Sequence, residues 1–348
     1  MPIKVLIVDD SALIRSLLGE IVNSEKDMYL VGAAPDAYVA RDLVNRFQPD
    51  VITLDIEMPK MDGLTFLEKL MKAHPTPVLM ISTLTERGAN ATLRALELGA
   101  IDYIAKPKLG VAQGIEEYRK LIVDKIRIAA QAKVKALSSQ KAVNTSMLDY
   151  SGTEKIIAVG ASTGGTEAIK EFLMQLPSNS PAVVITQHMP PGFTTSYAKR
   201  LNKLCKLNVI EAQGGERLLP GNAYLAPGSF HLLIERSGAD YRLKLSDSAL
   251  VSGHKPSVDV MFNSLTKCAA KNTVAVILTG MGKDGAAGMF SLHQQGAYTL
   301  AQDEASCVVF GMPKEAINLG GVDVVLPLTS LAPAVVKYLQ SVNVGIRM

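Results

Sequence analysis

From residue 3 onward, short β-branched runs alternate with stretches long enough for a helix, and this alternation constrains the chain more than any other feature. Strands are predicted near 3–8, 28–34, 50–54, 77–82 and 101–105, each followed by a helix-length segment, which makes five β/α units up to about residue 123. Strands that alternate with helices pair in parallel and are covered on both faces, so ligands collect beyond the carboxyl ends of the strands. The chemistry of such a chain is to be sought there.

A helical pattern then runs from Gln113 to about Leu137, and Ser138, Ser139, Gln140, Lys141, Asn144, Thr145 and Ser146 break it before apolar strands resume at Ile156. This reads as the end of a helix and a linker over 124–153. The basic side chains on its approach, from Arg119 to Lys141, fit a solvated helix face better than a phosphate grip. Beyond the linker, strands are expected at 156–159, 182–186, 223–226, 241–245, 273–278, 297–301 and 323–325, with helices at Thr166–Gln175 and Val258–Ala270. A β-hairpin excursion is expected within 208–250. The fold class is α/β: a five-stranded parallel domain over 1–123, then a second doubly wound, mostly parallel domain over 154–348.

Composition excludes several classes. With 348 residues, two cores can be buried. The 36 Lys+Arg against 33 Asp+Glu leave a net charge of +3, with no basic footprint for nucleic acid. The longest apolar run, Val274–Leu278, is five residues, so no membrane insertion is expected. Val5–Val8 stops at Asp9, which is unlike a signal peptide, and a cytoplasmic location is expected. Cys205, Cys268 and Cys307 are odd in number and widely spaced, which reads as buried free thiols rather than a disulfide framework.

In the first half, Asp9 and Asp10 close strand one and Asp55 closes strand three, ends that can be neighbours in a parallel sheet. Three carboxylates in one mouth repel unless a cation is present, and a hard ion such as Mg²⁺ suits them. Ser82 ends strand four and offers a hydroxyl; Lys106 ends strand five and offers an ammonium. Any one of these could be a helix cap, and Asp10 or Ser11 could cap the helix from Ala12. Together, Val8-Asp9-Asp10-Ser11, Asp55-Ile56-Glu57-Met58-Pro59 with Asp62-Gly63, Ser82-Thr83 and Lys106-Pro107 resemble the receiver domain of bacterial two-component response regulators. The flavodoxin-like fold of that family is then implied. The resemblance implies that Asp55 accepts a phosphoryl group from a histidine kinase. It further implies that Asp9, Asp10, Asp55 and the Glu57 backbone carbonyl hold Mg²⁺, and that Ser82 and Lys106 contact the phosphoryl oxygens. Tyr103 would report the switch, and a cis Lys106–Pro107 bond is implied.

In the second half, Gly160-Ala161-Ser162-Thr163-Gly164 follows a strand and precedes a helix, fulfilling G-x-S-x-G. A nucleophile on such a turn is exposed, and the Thr163 N–H can face a developing oxyanion. A capped helix in a Gly-rich turn is the rival reading; dinucleotide and P-loop readings fail at Ser162 and Thr166. Of the five histidines, His188 lies at a strand end like Ser162, and His254, in a loop before a helix, is its rival. Asp284, in Thr279-Gly280-Met281-Gly282-Lys283-Asp284-Gly285 beyond a third strand, is the candidate orienting carboxylate, with Asp259 and Asp303 as competitors.

These segments, the first extended to Gly165, with Gln187-His188-Met189 and His254-Lys255-Pro256-Ser257-Val258-Asp259, resemble the catalytic domain of the chemotaxis protein-glutamate methylesterases. The resemblance covers essentially the whole chain apart from the linker. It implies hydrolysis of glutamate methyl esters on methyl-accepting chemoreceptors, with release of methanol, and deamidation of certain receptor glutamines. Ser162 would be nucleophile, His188 general base and acid, Asp284 the orienting carboxylate, and the Thr163 and Met281 N–H groups oxyanion donors. No cofactor is implied for this hydrolysis, and phosphorylation of Asp55 is expected to shift the receiver from the cleft. A transcriptional regulator would need a compact basic output domain, which the second half does not resemble, and a catalytically silent docking protein would use its Gly-rich loops only as turns.

Overall fold

The computed structural model describes residues 1–83, 85–106, 115–132 and 154–344. The chain divides into two compact units, Met1–Ser139 and Gln140–Met348. In the first, strands β1 (Ile3–Val8), β2 (Met28–Ala34), β3 (Val51–Asp55), β4 (Val78–Ser82) and β5 (Asp102–Ala105) alternate with helices α1 (Ala12–Asn23), α2 (Ala37–Phe47), α3 (Gly63–Ala73), α4 (Glu86–Glu97) and α5 (Ile115–Gln131). The sheet order is β2-β1-β3-β4-β5, with every pairing parallel. Every residue of β3 and β4 is buried, as expected of central strands covered by helices on both faces. Because β1 and β3 are neighbours with Val8 opposite Leu54, the next residues, Asp9 and Asp55, leave the sheet side by side.

The five strands stand where the alternation places them. The helix predicted from Gln113 occupies Ile115–Gln131 and so runs past residue 123. The Lys106–Pro107 bond and the linker lie outside the described residues.

The second unit is built from β6 (Ile156–Ala161), α6 (Gly165–Met174), β7 (Ala182–Gln187), α7 (Phe193–Leu204), β8 (Asn208–Glu211), β9 (Asn222–Leu225), β10 (His231–Ser237), β11 (Asp240–Ser246), α8 (Val258–Cys268), β12 (Thr273–Ile277), α9 (Ala286–Gln294), β13 (Tyr298–Gln302), α10 (Met312–Asn318), β14 (Val324–Leu326) and α11 (Leu328–Val344). Seven strands form a parallel sheet in the order β14-β13-β12-β6-β7-β9-β8, and β10 and β11 pair antiparallel as the expected hairpin. Strand β8 escaped the sequence reading; it is four residues long, lies at the sheet edge, and has only Val209 buried.

Chain order reverses at β6. The chain passes from β6 to β7 and onward to one side, then returns to β12, β13 and β14 on the other. Loops after β6 and β12 therefore diverge at a switch point, where doubly wound sheets place ligands. Beneath them, Val258, Met261, Phe262 and Leu265 of α8 are fully buried in one core with Ala158, Val184 and Ile277 of the sheet. Gly160 admits this packing, because a Cβ there would lie 2.3 Å from Val258 Cγ1.

Truncating Phe262 to Ala should therefore cost about 3–5 kcal/mol, the usual range for a buried Phe. Urea unfolding followed by circular dichroism would measure it.

Candidate active site

Strands β12, β6 and β7 are consecutive in the sheet, and each delivers one polar side chain from its carboxyl end. Ser162 follows β6, His188 follows β7, and Asp284 sits in the loop after β12. The His188 ring lies between the other two: Nδ1 is 3.1 Å from Ser162 Oγ and Nε2 is 2.7 Å from Asp284 Oδ2. In the chymotrypsin arrangement the two ring nitrogens have the opposite partners, so here the imidazole is reversed. The Asp284 carboxylate fixes the tautomer that carries hydrogen on Nε2 and leaves Nδ1 free to accept from the serine.

The turn that carries Ser162 has physical reasons for its glycines. Gly164 adopts φ +77°, and a Cβ there would sit 2.6 Å from Val308 Cβ. The turn is braced by Thr279, whose carbonyl accepts the Ser162 N–H at 3.0 Å and whose hydroxyl donates to the Thr163 carbonyl at 3.0 Å. Gln187 donates through Nε2 to the Ser162 carbonyl at 2.9 Å. Gly280 is pressed against Ser162, since a Cβ there would come within 2.8 Å of Ser162 Cβ. Met281, next in the chain, is half exposed, while Thr163 is buried.

Asp284 is 1% exposed, and burial alone would raise its pKa. The His188 hydrogen bond and charge, the Ser257 hydroxyl and the Val258 N–H outweigh that penalty and bring it down to about 2. Ser257 Oγ donates to Oδ1 at 2.7 Å, the Val258 N–H to Oδ2 at 2.7 Å, and the Asp259 N–H to Oδ1 at 3.1 Å. These backbone groups are unsatisfied donors of the first turn of α8, so the carboxylate also gains from the positive end of the helix. Asp259 does the converse. Its carboxylate accepts from the Gly288 N–H at 2.8 Å, in the first turn of α9. Burial raises the Asp259 pKa.

The rival candidates have other duties. The His254 ring is stacked on His188, with centroids 3.7 Å apart and planes 13° from parallel. Asp303 accepts from Ser306 in a local turn. His231 is fully buried and holds backbone through both nitrogens, and His293 pairs with Asp323. None of the three cysteines forms a disulfide; Cys307 is buried and the others are half-buried.

In the first unit, ligand atoms of Asp9, Asp10 and Asp55 all lie within 4.8 Å of one another. Lys106 Nζ reaches Asp9 Oδ2 at 3.1 Å and Asp55 Oδ2 at 2.8 Å. Burial raises the Asp55 pKa, Lys106 opposes this, the Asp9 charge adds to it, and the result is about 6. The donor set is hard, anionic and all oxygen, which fits Mg²⁺. Glu57 follows two residues after Asp55 and is exposed. Ser82 is buried, with Oγ 3.4 Å from the carbonyl oxygens of Thr83 and Gly88. Tyr103 is buried, and the Lys125 ammonium lies 5.6 Å from its ring centroid. Gly63, after the capping Asp62, allows the β3–α3 loop to close on Asp55, because a Cβ there would meet the Asp55 carbonyl at 2.0 Å.

Comparison with known proteins finds one family model in each unit. A family model described as CheB methylesterase matches residues 157–335, and one described as response regulator receiver domain matches 5–112. The protein-glutamate methylesterase/protein-glutamine glutaminase 2 of Pseudomonas aeruginosa is 58% identical, covering 100% of both chains. The chain belongs to the protein-glutamate methylesterase family. The Salmonella typhimurium member, named protein-glutamate methylesterase/protein-glutamine glutaminase, is 58% identical over 95% of each chain. The crystal structure of the Thermotoga maritima CheB methylesterase catalytic domain superposes with a TM-score of 0.53 at 39% identity, covering 54% of this chain and 100% of that one. No helix among the described residues of this family member is long and apolar enough to cross a membrane.

Thr279, Gln187 and Ser257 escaped the sequence reading of this methylesterase-family site. All three lie inside quoted motifs, and nothing in their spacing shows which atoms they meet. The depressed Asp284 pKa makes a stability prediction. The carboxylate's contribution, about 2 kcal/mol for a shift of this size, is complete above pH 4 and is lost as pH falls from about 4 to 2. Asp284→Asn should remove this component of acid destabilisation, as measured by urea unfolding at pH 7 and pH 3.

Proposed function

We propose that the chain hydrolyses glutamate methyl esters on chemoreceptors, releasing methanol, and deamidates receptor glutamines, under control of phosphorylation at Asp55. The observation that carries this reading is the continuous line of Ser162, His188 and Asp284 at the switch point of the second sheet. The names of the relatives supply the substrate class, protein-bound glutamyl esters and amides.

Ser162 Oγ attacks the side-chain carbonyl carbon while His188 Nδ1 takes its proton. The carbonyl oxygen becomes an oxyanion, for which the N–H groups of Thr163 and Met281 are the assigned donors. Preorganised donors of this kind commonly supply the largest single part of the rate. Asp284, held ionised, stabilises the imidazolium and keeps it oriented. The proton then passes from His188 to the leaving oxygen, methanol departs, and a glutamyl ester of Ser162 remains. Water, deprotonated by His188, attacks that ester and returns the serine and a free glutamate carboxylate. With a glutamine substrate the leaving group is ammonia. Esters carry the better leaving group, so ester hydrolysis is the faster of the two. This hydrolysis draws on no cofactor.

In the receiver unit, Asp55 is the phosphoryl acceptor and a histidine kinase is the donor. Asp9, Asp10, Asp55 and the Glu57 carbonyl would hold Mg²⁺, which when bound offsets the negative charge that gathers in phosphoryl transfer. Lys106, already against Asp55, supplies a fixed ammonium to the transferred group, and Ser82 a hydroxyl. The phosphorylated receiver then releases the hydrolase from inhibition by shifting an existing equilibrium, for which a few kcal/mol suffices. The site of action is the cytoplasm, and the protein works without nucleic acid or membrane insertion. Residues 1–123 form the receiver domain, 124–153 the helix end and linker, and 154–348 the catalytic domain.

Methanol release from methylated chemoreceptor membranes tests both halves. Ser162→Ala should lower release by a factor on the order of 10³ or more while leaving phosphorylation from acetyl phosphate intact. Full activity in that variant would refute the assignment of the nucleophile. Asp55→Asn should keep the basal rate and lose the increase given by acetyl phosphate with Mg²⁺; an increase that persists would refute the control.

A further inference from the structure

His254 lies outside the line that the proposed reaction uses, yet it covers one face of the His188 ring. The polar grip on His188 consists of two hydrogen bonds, one at each ring nitrogen. A ring held at two points keeps one soft motion, tipping about the axis through them, because such tipping lengthens neither bond at first. Stacking removes it. With ring centroids 3.7 Å apart and planes 13° from parallel, the two imidazoles are in van der Waals contact. Tipping one way drives the rings into overlap, and tipping the other way loses the dispersion contact.

The segment carrying His254 is itself fixed. Val251 and His254 exchange both backbone hydrogen bonds, at 3.1 and 2.9 Å, across a two-residue turn with Ser252 at φ +53° and Gly253 at φ +80°. Two consecutive positive φ values mark the tight hairpin turn whose twist matches paired strands. The feet of the loop are tied by fully buried His231. Its Nε2 donates to the Ala249 carbonyl at 3.0 Å, and its Nδ1 accepts the Ser257 N–H at 3.1 Å. Lys255 pairs with Asp247 at 2.7 Å. A buried histidine therefore spends both nitrogens on holding the loop that presents a second histidine to the first.

We infer that His254 is a positioning residue for ester hydrolysis: its ring face sets the tilt of His188, keeping Nδ1 aimed first at Ser162 Oγ and then at the leaving oxygen. This rests on the active-site reading above. It assigns the role to the flat face of the side chain rather than to either nitrogen, so another planar ring serves and a methyl group does not. Loss of alignment acts on the chemical step, because His254 sets the aim of the base and not the grip on the substrate.

The test measures methanol release by the full chain from methylated receptor membranes, with acetyl phosphate and Mg²⁺ present. Three variants are compared with wild type: His254→Ala, His254→Phe and Ser162→Ala. His254→Ala should lower kcat roughly ten- to hundredfold with KM changed less than about twofold, and His254→Phe should recover kcat to within about threefold of wild type. A kcat in His254→Ala within about twofold of wild type overturns the inference, and so does a phenylalanine variant as slow as the alanine one. Activity retained in Ser162→Ala would instead remove the active-site reading itself. With Ser162→Ala silent, the two His254 variants decide this inference alone.

Discussion

The site in the second unit depends on how the Asp284 carboxylate is satisfied. A buried anion is costly unless hydrogen bonds and opposite charge surround it. Here four donors converge on one carboxylate: the His188 ring, the Ser257 hydroxyl, and the N–H groups of Val258 and Asp259. Two of them belong to the start of α8, so the group that orients the histidine also completes a helix. That helix carries the core residues Val258, Met261, Phe262 and Leu265, which tie the chemistry to the hydrophobic packing beneath it.

The receiver site solves a related problem differently. Its carboxylates stand close enough to repel, and the Lys106 ammonium is the cation that the protein itself supplies. Asp55 is nevertheless harder to ionise than a free aspartate, because burial and Asp9 outweigh Lys106. Asp284 is easier to ionise, because its donors outweigh burial. Two aspartates at strand ends, similarly buried, are thus tuned in opposite directions. Such a contrast suits the proposed roles of a group that is to be modified and a group that stays anionic throughout.

Much of this was legible in the residues. Strand positions follow from apolar runs, and Asp9, Asp55, Ser162, His188 and Asp284 each stand just beyond one or inside the loop after it. Which ends are neighbours was not legible, since sheet order depends on contacts between distant segments. The same holds for His254: its loop could be placed near the cleft, but only the folded hairpin 251–254 shows that it stacks on His188. The reversed imidazole, with Nδ1 toward the serine, has no signature in sequence at all. Edge strand β8 was missed because it is only four residues long and its two apolar residues, Val209 and Ile210, are adjacent, which leaves none of the apolar alternation that marks a strand.

The paired carboxylates of Asp259 and Asp284 have one more consequence. Asp284, from the loop before α9, binds the opening turn of α8, while Asp259, from that opening turn, binds the opening turn of α9. Neither helix start is complete without the other's aspartate. Partial melting of either one would strand a buried charge, so intermediate states are disfavoured and the two ends form or dissolve as one. A folded second unit therefore holds Ser162, His188 and Asp284 in register.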